Sequence, residues 1–215
     1  LNAFWGTDAT WLILAVGLIL TAVAVYGALE SLALVAIFTL IELAGLGLVI
    51  WAGFSAPVVA DWQAPPPPHW EGIGLAAVLA FFAFIGFEDI VNMAEEVERP
   101  QSTLPKAILM ALAITTLTYI MVAVATVRAV PAGVLAVSET PLVLVWQAGR
   151  GGTGNFLSAI AVFAALNGVL AQIVMASRVL YGLGRRSPAL AVFHHASAAR
   201  GTPVLATCLI GGAVI

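Results

Sequence analysis

The sequence predicts an all-α membrane protein, a multi-pass helical bundle, and three observations predict it. Hydrophobic residues fill 62% of the 215 positions and charged residues only 9%, where a water-facing domain carries about 25% charged residues. Mean hydropathy is +1.07. The apolar residues form continuous runs near the length of about 20 that a spanning helix requires, without the alternation of an outer-membrane strand. Eight Lys and Arg against eleven Asp and Glu give a net charge of −3, so no basic field for nucleic acid exists. Cys208 is the single cysteine, which excludes an intrachain disulfide.

The spans follow in order. Residues 11–29 hold no charge, residues 32–54 hold only Glu42, and residues 107–127 hold none. Residues 156–177 are uncharged, although Asn167 and Gln172 interrupt them. Residues 73–94 are apolar only as far as Glu88 and Asp89, and a last span over 203–215 opens at Pro203. The expectation is one transmembrane domain over 1–215, with five full spans and part of a sixth. Leu1 is preceded by neither an initiator Met nor a signal segment, and Ile215 closes the chain inside an apolar run, so the chain reads as a fragment of a longer membrane protein.

Loop charges set the orientation. Arg99, Lys106, Arg178, Arg185, Arg186 and Arg200 fall on one side of the alternating spans, and Arg128 and Arg150 on the other. The positive-inside rule then places the first set in the cytoplasm and the N-terminus outside, in a cell membrane. In the outer loop over 55–71, Pro65 to Pro68 favour an extended polyproline stretch. In the loop after Val127, Ser138-Glu139-Thr140-Pro141 offers a cap for a short helix from Leu142 to Gln147.

The strongest chemical signal is the span that breaks its own rule. In Phe81-Phe82-Ala83-Phe84-Ile85-Gly86-Phe87-Glu88-Asp89-Ile90, a helix-weakening glycine precedes two adjacent acids. An interrupted membrane helix presents carbonyls that take an ammonium group and N–H groups that take an anion. The alternative is a helix that simply ends near Gly86 and leaves Glu88 and Asp89 in the headgroups, although that would leave about 15 apolar residues, short of a span. Glu42 is the second signal: an acid in mid-span costs at least about 2.5 kcal/mol, so it is expected to point inward, beside Gly45 and Val49, as a proton-titrating or cation-holding group or as a hydrogen-bonded structural acid. Asn167, beside the small polar stripe of Ser158, Ala161, Ala165, Gly168 and Gln172, joins Glu42 as a coupling candidate. That stripe and the face of Thr115, Thr118 and Tyr119 read first as helix packing. His69, His194 and His195 lie in loops without ligand spacing, so no metal is expected. Phosphate loops and catalytic triads are absent from the sequence, which leaves an enzyme reading little support.

Two stretches carry a family resemblance. Phe82 to Asp89, continuing through Asn92-Met93-Ala94-Glu95-Glu96-Val97-Glu98-Arg99-Pro100-Gln101 to Leu104-Pro105-Lys106-Ala107-Ile108, resembles the sixth helix and following loop of the amino acid-polyamine-organocation permeases. Leu166-Asn167-Gly168, then Ala176-Ser177-Arg178-Val179-Leu180-Tyr181-Gly182-Leu183 and Gly201-Thr202-Pro203-Val204, looks like the eighth helix and the entry to the ninth.

The resemblance implies helices four to nine of a LeuT-like fold of two inverted five-helix repeats, with substrate held between the broken first and sixth helices. It implies that the missing helices belong to the full-length chain and that this chain alone does not transport. It further implies that backbone around Phe82, Ala83, Phe84 and Ile85 holds the substrate amino group. Phe82 then gates the site, Gly86 permits the break, and Phe87 and Glu88 complete the pocket side. Some proton-coupled members carry a lysine near the position of Glu42, so the coupling ion, a proton or sodium, stays open. The implied function is secondary active transport of amino acids or related amines by alternating access, as a symporter or an antiporter, without a cofactor. The rivals are an ion-translocating subunit of a larger complex and an inactive truncated scaffold.

Overall fold

The computed structural model describes residues 9–64, 67–86, 90–92, 94, 97–197 and 201–215. Among them every regular element is helical. In chain order these are α1 (Ala9–Tyr26), α2 (Ala28–Ser55), α3 (Ala60–Gln63), α4 (Trp70–Ala83), α5 (Pro100–Ala129), α6 (Ala132–Ala136), α7 (Pro141–Arg150), α8 (Asn155–Arg186) and α9 (Val204–Val214), with a 3₁₀ segment Pro188–Phe193 between the last two. The apolar stretches of α2, α5 and α8 are long enough to cross a membrane. At about 1.5 Å per residue their 28, 30 and 32 residues exceed a hydrocarbon core of about 30 Å. Helices α1, α4 and α9 are apolar but shorter, at 18, 14 and 11 residues.

The chain forms two compact units, one of Leu1–Ile41 with Val162–Ile215 and one of Glu42–Ala161. In the first, Leu20, Ala24, Leu170, Ile173 and Val174 are buried together, with Leu34, Val35 and Ile210 packed on them. Small residues let α9 close on α1: a Cβ at Gly211 would strike the Thr21 side chain, and one at Gly17 would strike Ile215. In the second unit Val49, Ala56, Ala129, Val130, Val145 and Leu157 make the core. Gly45 lies beneath Ile160, and Gly53 and Gly149 lie against the backbone of Ala125 and Ala52.

Several boundaries differ from expectation. The first two runs, expected to part around residues 30 and 31, break at Gly27 alone. The buried Ser31 hydroxyl lies 3.0 Å from the Val23 carbonyl and 2.7 Å from that of Gly27, and Thr202 donates to Val25 at 3.2 Å. These hydroxyls satisfy carbonyls that the helix end orphans, so no polar loop is required.

The run expected over 73–94 stops as a helix at Ala83, and Ile90 to Asn92 continue in 3₁₀ geometry. Its start is set by His69, whose Nδ1 accepts the Gly72 N–H at 3.0 Å. The run expected over 107–127 begins at Pro100, which places Lys106 inside α5 rather than at its start. Arg99 precedes it with φ 51, Ser102 donates to the Arg99 carbonyl, and Thr103 donates to that of Glu98. The run expected over 156–177 continues to Arg186, so Arg178, Arg185 and Arg186 ride on α8 instead of a loop. A helix supplies its own backbone hydrogen bonds on either side of the bilayer boundary, and basic residues suit its last turn. The short outer helix expected from Leu142 to Gln147 runs from Pro141, at its first turn, to Arg150. Of the proline stretch, Pro65 and Pro66 lie outside the described residues.

Candidate solute and coupling sites

Helix α4 ends where the sequence places its glycine. Fourteen residues span about 21 Å, short of the roughly 30 Å hydrocarbon core, and none of them is buried. After Ala83 the chain turns: the Phe84 N–H reaches the Phe81 carbonyl at 3.1 Å and the Ile85 N–H reaches that of Phe82 at 3.3 Å. Such tight bonds close the last turn of a helix that does not continue. Gly86 follows with φ +114, a conformation that side-chain-bearing residues rarely adopt, and among the described residues no atom outside its own neighbours would meet a Cβ there. Backbone conformation, rather than crowding, is what requires glycine at this position.

The carbonyl of Ala83 has a partner from another helix. Tyr119 of α5 donates its phenol proton to that oxygen at 2.9 Å, and its ring meets Phe84 edge-on at 5.2 Å and 70°. Phe81 and Phe82 lie edge-on to each other at 6.0 Å, and Phe82 and Ile85 are exposed. Phe82, Ala83, Phe84, Ile85 and Gly86 are thus assembled in one turn. Phe87 and Glu88, the remaining predicted pocket residues, lie outside the described residues.

The coupling candidates fall in different units. Glu42 is half-buried on α2, and Gly45 and Val49 of its face are buried. Asn167 of α8 is buried and donates through Nδ2 to Thr39 Oγ1 at 3.1 Å, while Thr39 donates to Val35 at 2.9 Å. The stripe of Ser158, Ala161, Ala165, Gly168 and Gln172 is exposed, and the buried face of α8 runs through Asn167, Leu170, Ile173, Val174 and Ser177. Leucine and isoleucine fill the groove that small residues were expected to close. Among the described residues no group of three His, Cys, Asp or Glu is placed to hold a metal ion.

Sequence reasoning passed over Tyr119 by assigning its face to packing. A phenol in mid-span was the available signal, because its hydroxyl must find an acceptor when no water is near. Thr39 gave a similar but weaker signal.

The match to known families decides the identity of this assembly. A family model described as amino acid permease covers residues 4–215. The chain belongs to the amino acid permease family.

Among this permease chain's relatives, the methylthioribose transporter of Bacillus subtilis is 27% identical over 90% of the chain and 42% of its own length. The branched-chain amino acid permease BcaP of the same organism is 30% identical over 70% of the chain and 33% of its own length. The chloroplastic cationic amino acid transporter 9 of Arabidopsis thaliana is 30% identical over 78% of the chain and 29% of its own length. The chain therefore spans about a third of the length of these relatives, between 29% and 42%. All three bear the names of permeases or transporters, not of enzymes. Family membership and the three long apolar helices make the chain part of a multi-pass membrane protein.

Proposed function

We propose that the protein to which this chain belongs is a secondary active transporter of amino acids or related amines, working by alternating access in the cell membrane. The end of α4 at Ala83 carries this reading. Irregular backbone at membrane depth is tolerated where it is buried in protein or lines a polar cavity, and a helix end there offers carbonyl oxygens to a cation. The solute's ammonium binds at the turn from Phe82 to Gly86, with Phe82 as the aromatic gate. Glu42 and Asn167 serve coupling, by proton symport or by exchange. The helices that close the site belong to the remainder of the longer chain.

The test uses the complete protein in liposomes. Labelled L-amino acids and amines are offered with and without an inward proton gradient. Saturable uptake that rises with the gradient is the expected result; no uptake of any amine or amino acid by folded protein overturns the reading. A neutral thiosugar is the second reading, favoured by the name of the methylthioribose relative. Uptake of methylthioribose with none of any amino acid selects it.

A further inference from the structure

Two oxygen atoms from different helices meet at the end of α4. The Tyr119 phenol oxygen lies 2.9 Å from the Ala83 carbonyl oxygen and donates to it. The carbonyls of Phe81 and Phe82 already receive the N–H groups of Phe84 and Ile85. A carbonyl has two lone pairs, and a phenol oxygen keeps acceptor capacity after donating its proton. Each oxygen can therefore take one more hydrogen bond. A nitrogen about 2.9 Å from both satisfies hydrogen-bond distance to each. A primary ammonium brings three N–H donors to such a pair, whereas a hydroxyl brings one. Tyr119 is 38% exposed, so its oxygen is not sealed within the protein. Phe84, edge-on to the phenol ring, restricts where that ring can turn.

We propose that Tyr119 is a specificity-determining residue, forming with the Ala83 carbonyl a two-oxygen acceptor for the ammonium group of the solute. The inference rests on reading the α4 end as the solute site, and it adds a side chain of α5 to the backbone acceptors of α4. The phenol proton occupies one lone pair of the carbonyl, whose other lone pair takes one ammonium proton, and the phenol oxygen accepts a second. Solutes with a primary ammonium are thereby favoured over hydroxy or sugar analogues of the same shape.

The complete protein and its Tyr119→Phe variant are purified, and binding of L-leucine, L-lysine and L-alanine is compared with binding of the 2-hydroxy acid counterpart of each. Phenylalanine keeps the ring against Phe84 and removes only the hydroxyl. The expected result is a loss of at least about tenfold for amino acids, the worth of one charge-assisted hydrogen bond, with the hydroxy acids unchanged within about twofold. Tyr119→Gln, which can both donate to Ala83 and accept, recovers part of the preference and serves where the phenylalanine variant does not fold. Equal losses for both compound classes, or no loss for either, overturn the assignment of Tyr119 while leaving the solute site in place. A wild-type protein that binds no amino acid overturns both.

Discussion

Arg128 closes the C-terminal end of α2 by donating to the Gly53 carbonyl at 2.7 Å. The same nitrogen lies 3.1 Å from the carbonyls of Phe54 and Ala56. A helix leaves its last four carbonyls without intrahelical donors and carries partial negative charge there, so a guanidinium both pairs and neutralises that end. Arg150 lies over the Trp51 ring, 3.6 Å from its centroid, one turn earlier on the same helix. The two arginines that the charge count assigns to outer loops are thus engaged by α2. Their position is explained by a helix end and an aromatic face rather than by topology alone.

Replacing Arg128 with methionine is expected to remove the charged donor from this helix end at a cost of about 2–3 kcal/mol. Thermal unfolding of the detergent-solubilised protein reads the loss as a lower midpoint. Arg128→Lys recovers part of it, because its single ammonium nitrogen keeps the charge and the donors but sits on a shorter stem than the guanidinium. A methionine variant that melts with the wild type refutes the cap.

The glycines of α2 and their neighbours separate into two classes. A Cβ at Gly53 would stand 2.7 Å from the Ala125 carbonyl oxygen, whereas one at Gly47 meets nothing. Gly53→Val is expected to destabilise by roughly 1–3 kcal/mol through overpacking. Gly47→Ala is expected to stabilise by about 0.5–1 kcal/mol, the helix-propensity difference. Paired melting curves check the opposite signs.

Gly86→Ala places a side chain on a backbone with φ +114, which costs about 1–3 kcal/mol if the turn is kept. Uptake by the complete protein is expected to fall at least about tenfold, since either the turn relaxes or the strained state is depopulated. Size-exclusion profiles that match the wild type would show that the loss lies at the turn. Full activity of the alanine variant would mean that the turn does not bear on transport.

Glu42→Gln keeps the shape of the side chain and removes its capacity to exchange a proton. Uptake of an amino acid is expected to lose its dependence on an imposed proton gradient, while binding measured without a gradient stays within about threefold. Undiminished gradient dependence would assign coupling elsewhere.

The helices themselves were legible because continuous apolar runs have one stable form in lipid. The end of a helix near Gly86 is legible because Gly86, Glu88 and Asp89 interrupt such a run. The other helix ends are not. Hydropathy marks where the bilayer stops, but α5 and α8 extend past it through Pro100 and Arg186, since helical hydrogen bonds do not depend on the surrounding solvent in the same way. Gly27 falls inside the expected run 11–29 because its break is mended by Ser31 and Thr202, the latter 177 residues from its acceptor. Tyr119 lies 36 residues from Ala83, and no local pattern announces a partner at that separation.

Protection of a single thiol tests most directly whether a solute binds at the turn after α4. Cys208, exposed on α9, is replaced by serine and Ile85, exposed beside Gly86, by cysteine in the complete protein. Its rate of maleimide labelling in membranes is then measured against increasing L-amino acid. A saturable fall in rate, absent with a matched 2-hydroxy acid, is the predicted result. A rate indifferent to every amino acid and amine that the liposomes take up would contradict the account.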